Sequence, residues 1–99
     1  MQVEKILVLS TCHVSTETAH GFVNKRFDDS LVVVDRKTGW FINVVGVQTD
    51  GTGKIDSGCP DDLMTCIRLA QENDCEWLLL DRDGPIEADL PTFDWEMFL

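Results

Sequence analysis

The stretch PDDLMTCIRLAQENDCEWLLLDR, residues 60–82, predicts a helix that leads into a strand. Pro60 suits the first position of a helix, and the two aspartates behind it complement the positive end of the helix dipole. Apolar residues then recur at steps of three and four along one face, namely Leu63, Cys66, Ile67 and Ala70. We expect this helix to end near Asn73. Trp77–Leu80 is a short continuous apolar run, which is typical of a buried strand.

Two runs upstream of this helix predict a β-hairpin. Residues 31–35 and 40–45 are rich in β-branched and aromatic side chains. The connection over residues 35–39 starts with Asp and ends with Gly, as short hairpin loops often do. Residues 46–58 hold few apolar side chains and several glycines, so we interpret them as a loop or an extension of the hairpin.

The first part of the chain predicts another strand and another helix. Residues 5–10 form a continuous apolar run, which favours a strand. Ser15 can cap a helix, and Glu17 falls in its first turn, where the dipole favours a carboxylate. Ala19, Phe22, Val23 and Phe27 follow at helical spacing. Gly21 weakens this helix.

The predicted elements follow the order β-α-β-β-α-β in one α+β domain, residues 1–99. This is the ferredoxin-like order, in which both helices cover one face of an antiparallel sheet in a two-layer sandwich. An alternative two-layer arrangement would let the C-terminal tail add a strand beside the last one. Either topology hosts many unrelated functions, so the fold alone does not indicate an activity.

The composition and the hydrophobic pattern predict the number of domains and the cellular compartment. Its 99 residues are 43% hydrophobic, which is enough for a single core. No apolar run approaches the roughly 20 residues that cross a bilayer, and the N-terminal residues do not resemble a signal peptide. We therefore expect a cytoplasmic protein whose four cysteines are reduced thiols.

The charge is distributed unevenly along the chain. Residues 1–54 carry six acidic and six basic side chains, whereas residues 55–99 carry twelve acids and two arginines, which accounts for the whole net charge of −10. A field of this sign repels nucleic acid and anionic membranes, so direct binding to either is disfavoured. It attracts basic protein surfaces.

Cys12 and His13 are the first candidates for chemistry. A nucleophilic cysteine needs a base within hydrogen-bonding reach, and these two residues are adjacent in sequence. Neighbouring side chains in an extended segment point to opposite sides, however. The favoured interpretation is that Cys12 is a small hydrophobic residue and that His13 is a polar group of a loop.

Three aspartates are the second candidates. The pattern of three apolar residues followed by Asp-Arg occurs twice, at residues 32–36 and 78–82. If the two turns were neighbours, Asp35, Asp81 and Asp83 could form a carboxylate cluster for Mg²⁺ or for acid–base chemistry. They are also ordinary turn residues, which we favour. The spacing of Cys59, Cys66 and Cys75 matches no structural zinc motif, and we predict neither a metal nor a cofactor.

The C-terminal tail, residues 86–99, alternates acidic and apolar residues up to its end. Phe93, Trp95 and Phe98 either fold back onto the open face of the sheet or form aromatic anchors for a partner or a second copy of the chain. The predicted partner-binding residues are acidic or aromatic: Asp61, Asp62, Glu72, Asp74, Glu76, Glu87, Asp89, Phe93, Asp94, Trp95, Glu96 and Phe98.

Four segments carry a resemblance to a known family: residues 9–14, 39–41, 66–85 and 90–95. With them the chain resembles a small bacterial domain family of unknown function that is found on plasmids, phages and genomic islands. The resemblance covers most of the chain and implies an accessory protein of a mobile element. It implies no activity, no cofactor and no site residues.

Two hypotheses follow. The first is a non-catalytic interaction protein whose acidic half binds a basic surface, with the nucleic-acid-binding face of a host defence or replication protein as one candidate, because carboxylates can stand in for phosphates. The second is a small enzyme or ligand binder that uses Cys12, His13 and the aspartates Asp35, Asp81 and Asp83. Convergence of these five side chains on one pocket would favour the second hypothesis.

Overall fold

The computed structural model describes residues 2–27, 31–47 and 60–93. Their elements are β1 (Ile6–Ser10), α1 (Thr16–Val23), β2 (Val33–Arg36), β3 (Gly39–Asn43), α2 (Asp61–Glu72) and β4 (Trp77–Asp81), with a 3-10 turn at Thr11–His13. The described elements thus run β-α-β-β-α-β along the chain, which confirms the predicted α+β class. Most of the loop predicted over residues 46–58 lies outside the described residues. Neither α1 nor α2 reaches the length and hydrophobicity that a bilayer crossing requires.

The four strands form one mixed sheet in the order β1-β4-β3-β2. β1 and β4 are parallel, and the other two pairs are antiparallel. The sheet therefore differs from the antiparallel sheet of the ferredoxin-like prediction. The parallel pairing with β1 places β4 inside the sheet, which suits the burial of Leu78–Leu80, whereas β1 exposes Ile6 and Val8 and forms an edge.

The two neighbours of β4 exclude the alternative topology, in which the C-terminal tail adds a strand beside the last one. β1 and β3 occupy both of its edges, so a strand from the tail has no place beside it. The described part of the tail, residues 86–93, contains no strand. Residues 94–99 lie outside the described residues.

One face of the sheet carries the core. Leu9 lies opposite Leu80, and Ile42 lies opposite Leu78, so these four side chains share that face. They form one buried cluster with apolar residues of both helices, including Phe22, Leu63 and Ile67. On the opposite face Ile6 is 46% exposed and Val34 is 48% exposed. Both helices therefore cover one face of the sheet, as predicted.

Local signals set the helix boundaries. The Ser15 hydroxyl accepts a hydrogen bond from the Thr18 amide at 3.2 Å, which confirms the predicted cap of α1. In α2 the four predicted apolar residues, Leu63, Cys66, Ile67 and Ala70, are all buried. After α2, Asp74 takes a left-handed conformation with φ of 59°, and the Cys75 amide donates to the Ala70 carbonyl, which closes the helix end.

Candidate functional site

His13 fastens the C-terminal segment to the domain. Its imidazole is 1% exposed. Nδ1 lies 2.8 Å from the Pro91 carbonyl oxygen, and Nε2 accepts a hydrogen bond from the Glu87 amide at 2.8 Å. This pattern requires a neutral ring with its proton on Nδ1. Because both nitrogens are bonded to the protein's own backbone, His13 is placed to hold structure and not to act as a base for Cys12.

Cys12 is half-buried at the C-terminal end of β1. Its amide donates to the Ser10 hydroxyl at 3.2 Å, and its carbonyl accepts from the Phe93 amide at 2.8 Å. The residue is thus fixed by its backbone on both sides. Its side chain lines a cleft of about 700 Å³.

The two Asp-Arg turns are neighbours in space, which was the condition for the carboxylate cluster. Asp81 Oδ2 accepts from the Thr38 hydroxyl at 3.1 Å and lies 3.4 Å from Arg36 Nε. Asp81 Oδ1 accepts from the Asp83 amide at 2.8 Å. The hydrogen bond from the Asp83 amide is the main cause that lowers the pKa of the Asp81 carboxyl, and Thr38 and Arg36 lower it further.

Asp35 faces different partners. Its carboxylate lies 3.4 Å from Lys25 Nζ and is 61% exposed. Within residues 2–27, 31–47 and 60–93, no group of three or more His, Cys, Asp or Glu side chains is arranged to hold a metal ion. Of the five candidates for chemistry, Cys12 and Asp35 line the same cleft, whereas His13, Asp81 and Asp83 are not among its lining residues.

Two of the predicted partner-binding acids, Asp62 and Glu76, join parts of the fold that are distant in sequence. Asp62 joins the helices, because its carboxylate accepts from the Ser15 amide at 2.6 Å and from the Thr18 hydroxyl at 2.8 Å. Glu76 accepts from the Lys5 amide at 2.6 Å, just before β1 begins. These two carboxylates stabilise the fold, and they are less available to a partner than the exposed acids.

Other predicted acids border a groove between α2 and the C-terminal segment, which we call the acidic groove. It measures about 290 Å³ and is lined by Thr65, Arg68, Leu69, Glu72, Glu87, Asp89 and Leu90. Its lining holds three carboxylates and one cation, and Leu69 and Leu90 add half-buried apolar surface. Asp61 and Asp74 are also exposed, near the two ends of α2. Asp94, Trp95, Glu96 and Phe98 lie outside the described residues.

The cleft beside Cys12 has the opposite character. It lies where β1 ends against the β2–β3 turn, and its lining includes Arg36, Lys37, Trp40 and Arg82. Sequence reasoning did not nominate these four residues. They come from separate segments, and only the register of β3 against β4, which places Gly39 opposite Asp81, brings the two turns together.

The structure defines a small α+β domain with a four-stranded mixed sheet, two helices on one face, an acidic groove and a basic cleft. The chain belongs to a family described as "Family of unknown function (DUF5983) C-terminal domain", whose model matches residues 6–95. This confirms the resemblance to a domain family of unknown function. Neither the comparison with curated proteins nor that with solved structures found a match.

Proposed function

We propose that the protein is a non-catalytic interaction protein that binds a basic protein surface through the acidic groove. The observation that carries the proposal is the separation of charge across the fold. Glu72, Glu87 and Asp89 gather on the groove, whereas Arg36, Lys37 and Arg82 lie at the cleft. Oppositely charged regions on one small domain orient an approaching charged partner as well as attract it.

The shape of the groove suggests the form of the partner. Arg68 and Glu72 come from α2, and Glu87 and Asp89 come from the segment that His13 holds in place. Leu69 and Leu90 offer apolar contact between the charges. Such a groove suits a segment with several Lys or Arg side chains and one apolar residue, since desolvated apolar contacts supply affinity and charges supply orientation.

Nucleic-acid-binding proteins present this chemistry, because they expose cationic side chains to phosphates. Carboxylates on a rigid domain can occupy those cationic sites. We propose such a protein as the partner, in the cytoplasm of a bacterium, with a mobile element as the genetic setting. The enzyme alternative draws less support, because His13 is bonded through both ring nitrogens.

The test measures binding of a fluorescent nonapeptide of alternating Arg and Leu by anisotropy. The double variant Glu72→Lys/Asp89→Lys should weaken binding by roughly tenfold or more, because each exposed pair contributes up to about 1 kcal/mol. Wild-type binding should also fall steeply as sodium chloride rises from about 0.05 M to about 0.5 M, where exposed charges are screened.

Glu17→Lys and Asp83→Lys together form the matched control. Both residues are exposed and neither lines the acidic groove, yet the pair makes the same change in net charge. We expect the control to change affinity less than threefold. Equal weakening by both double variants would show that net charge alone attracts the peptide, and the proposed groove would then be rejected.

A further inference from the structure

The cleft beside Cys12 has the size of a small-molecule site. Its volume of about 700 Å³ falls in the range of roughly 300–1,000 Å³ that such sites occupy. Ser10, Thr11 and Cys12 form one wall, at the carboxyl end of β1. Because β1 and β4 are parallel, Asp81 and Arg82 reach the same edge of the sheet. This is the edge at which α/β proteins bind ligands.

The cleft is positively charged on a strongly acidic protein. Three cations, Arg36, Lys37 and Arg82, line it together with one carboxylate, Asp35. The chain as a whole carries −10. Asp35 is partly neutralised from outside the lining, since Lys25 Nζ lies 3.4 Å from its carboxylate. The local field therefore favours an anion where the overall field would repel one.

Two of the three cations remain available. Arg36 lies 3.4 Å from Asp81 and above the Phe41 ring, so its charge is partly engaged. Arg82 has its nearest carboxylate, that of Asp83, at 4.0 Å. In the part of the chain that the structure describes, Lys37 has no carboxylate within 4 Å. Lys37 is thus unpaired among the described residues, and the ion pair between Arg82 and Asp83, whose side chains are 66% and 81% exposed, is weak enough to be exchanged for a bound anion.

An aromatic side chain forms the apolar wall. The Trp40 indole lines the cleft and stacks on Phe22 at 4.7 Å between ring centroids, with an angle of 20° between the planes. Phe22 is held in turn by an edge contact with Phe27 at 5.1 Å. The indole is therefore fixed in place and presents a rigid surface. Val23, which is 60% exposed, adds apolar area beside it.

We propose that this cleft binds a small organic anion in which a flat aromatic body carries a phosphate or a carboxylate. The ring packs against Trp40 and Val23, and the anionic group contacts Lys37 and Arg82. Arginine binds either kind of anion through two parallel hydrogen bonds, and lysine adds a compact charge. This ligand site is separate from the acidic groove, and its existence does not depend on the partner proposed above.

Two anions with neutral counterparts test the proposal by NMR titration of ¹⁵N-labelled protein. Adenosine monophosphate is compared with adenosine, and indole-3-carboxylate is compared with indole-3-carboxamide. We expect at least one anion to shift the Trp40 indole N–H and the Thr38 and Gly39 amides, with a saturable Kd at or below about 1 mM. The preferred anion then identifies the chemical source, phosphate or carboxylate. Inorganic phosphate alone should bind more weakly, because it lacks the ring.

Charge reversal at the cleft separates this site from general attraction. Lys37→Glu/Arg82→Glu should weaken binding at least tenfold, while Lys5→Glu/Arg26→Glu, which makes the same change in charge at exposed residues outside the lining, should weaken it less than threefold. Circular dichroism checks that all variants are folded. Binding of the neutral counterparts as tightly as the anions, equal loss in both double variants, or no saturable shift with either anion would overturn the proposal.

Discussion

Two strands, β2 and β4, end in the same sequence pattern of three apolar residues followed by Asp-Arg. The two aspartates of this pattern have different surroundings in the structure. In β2, Asp35 is 61% exposed and pairs with Lys25, which is itself 65% exposed. In β4, Asp81 is 12% exposed and accepts hydrogen bonds from Thr38 and from the Asp83 amide. β2 is an edge strand and β4 an interior strand. The position of a strand in the sheet thus decides whether the same aspartate stabilises the fold.

This difference connects directly to the cleft. Asp81 holds the β2–β3 turn against the end of β4, and that turn supplies Lys37 and Thr38 to the lining. The Arg82 amide also donates to the Thr38 carbonyl at 2.9 Å. The buried copy of the pattern therefore holds the two turns of the basic cleft together, and the exposed copy contributes two lining residues, Asp35 and Arg36.

The largest expected effect comes from the point where the two turns touch. Gly39 pairs with Asp81, and a Cβ atom at residue 39 would collide with the Leu80 carbonyl oxygen, which is backbone and cannot swing aside. We expect Gly39→Ala to lower the free energy of unfolding by about 3 kcal/mol or more, or to prevent folding. Urea denaturation followed by circular dichroism measures it.

Gly46→Ala is the matched control for this prediction. Gly46 has a positive φ of 77°, and a Cβ atom there would meet no atom within 4 Å. Its cost should be about 1 kcal/mol, from backbone strain alone. If the two alanine variants were equally stable, the close approach of the two turns would not matter for the fold.

The next largest effect is a difference in thermal stability between variants of Asp81 and Asp35. Asp81→Ala removes the acceptor for a backbone amide and for the Thr38 hydroxyl, so we expect Tm to fall by roughly 5 °C or more. Asp35→Ala removes one exposed ion pair and should change Tm by less than about 2 °C. Thermal unfolding of both variants compares them. A larger loss for Asp35 would reverse the roles assigned to the two turns.

At acid pH the Asp81 side chain should lose its stabilising effect. The pKa of Asp81 is lowered in the folded state, so its ionised form stabilises the fold at pH values above the unfolded value of about 4. That contribution is lost as the pH falls through the folded pKa. Asp81→Asn keeps the shape and removes the titration, so its Tm should approach that of wild type below about pH 4. A constant gap down to low pH would contradict this.

Local signals explain what the sequence alone could predict. The stripe of α2, the Ser15 cap and the short Asp-to-Gly loop of the hairpin depend on neighbouring residues, and all three are confirmed. The order of the strands depends on pairing across the whole chain, which local patterns do not specify. The predicted α+β class was therefore correct, whereas the ferredoxin-like arrangement was not confirmed, because β1 and β4 pair in parallel.

The candidate site also depends on contacts between distant segments, which local sequence patterns do not specify. The sequence offered Cys12 and His13 as a candidate pair and favoured a structural role for both, but it could not show that His13 bonds to the backbone of Glu87 and Pro91, more than 70 residues away. The cleft residues Trp40 and Arg82 share no motif with Cys12 and meet only through the sheet. Long-range pairing created both features, so no spacing pattern could have revealed them.

The smallest expected effect concerns the buried thiol of Cys66. Burial, helped by the nearby charge of Asp62, raises the pKa of the Cys66 thiol to about 12. The neutral thiol stabilises the fold fully below the unfolded pKa of about 8.5, and this contribution is lost as the pH rises toward 12. Wild type should therefore lose about 1 kcal/mol more than Cys66→Ala between pH 8 and pH 9.5.

Urea denaturation at both pH values measures this difference, because the other titrating groups are common to the two proteins. An independent readout is alkylation by iodoacetamide, which requires a thiolate. Cys66, only 1% exposed, should stay unmodified in the folded protein at pH 9 and react once urea unfolds it. Equal losses of stability in the two proteins, together with rapid modification of Cys66 in the folded state, would show that α2 opens readily and that Asp62 does not hold it against α1.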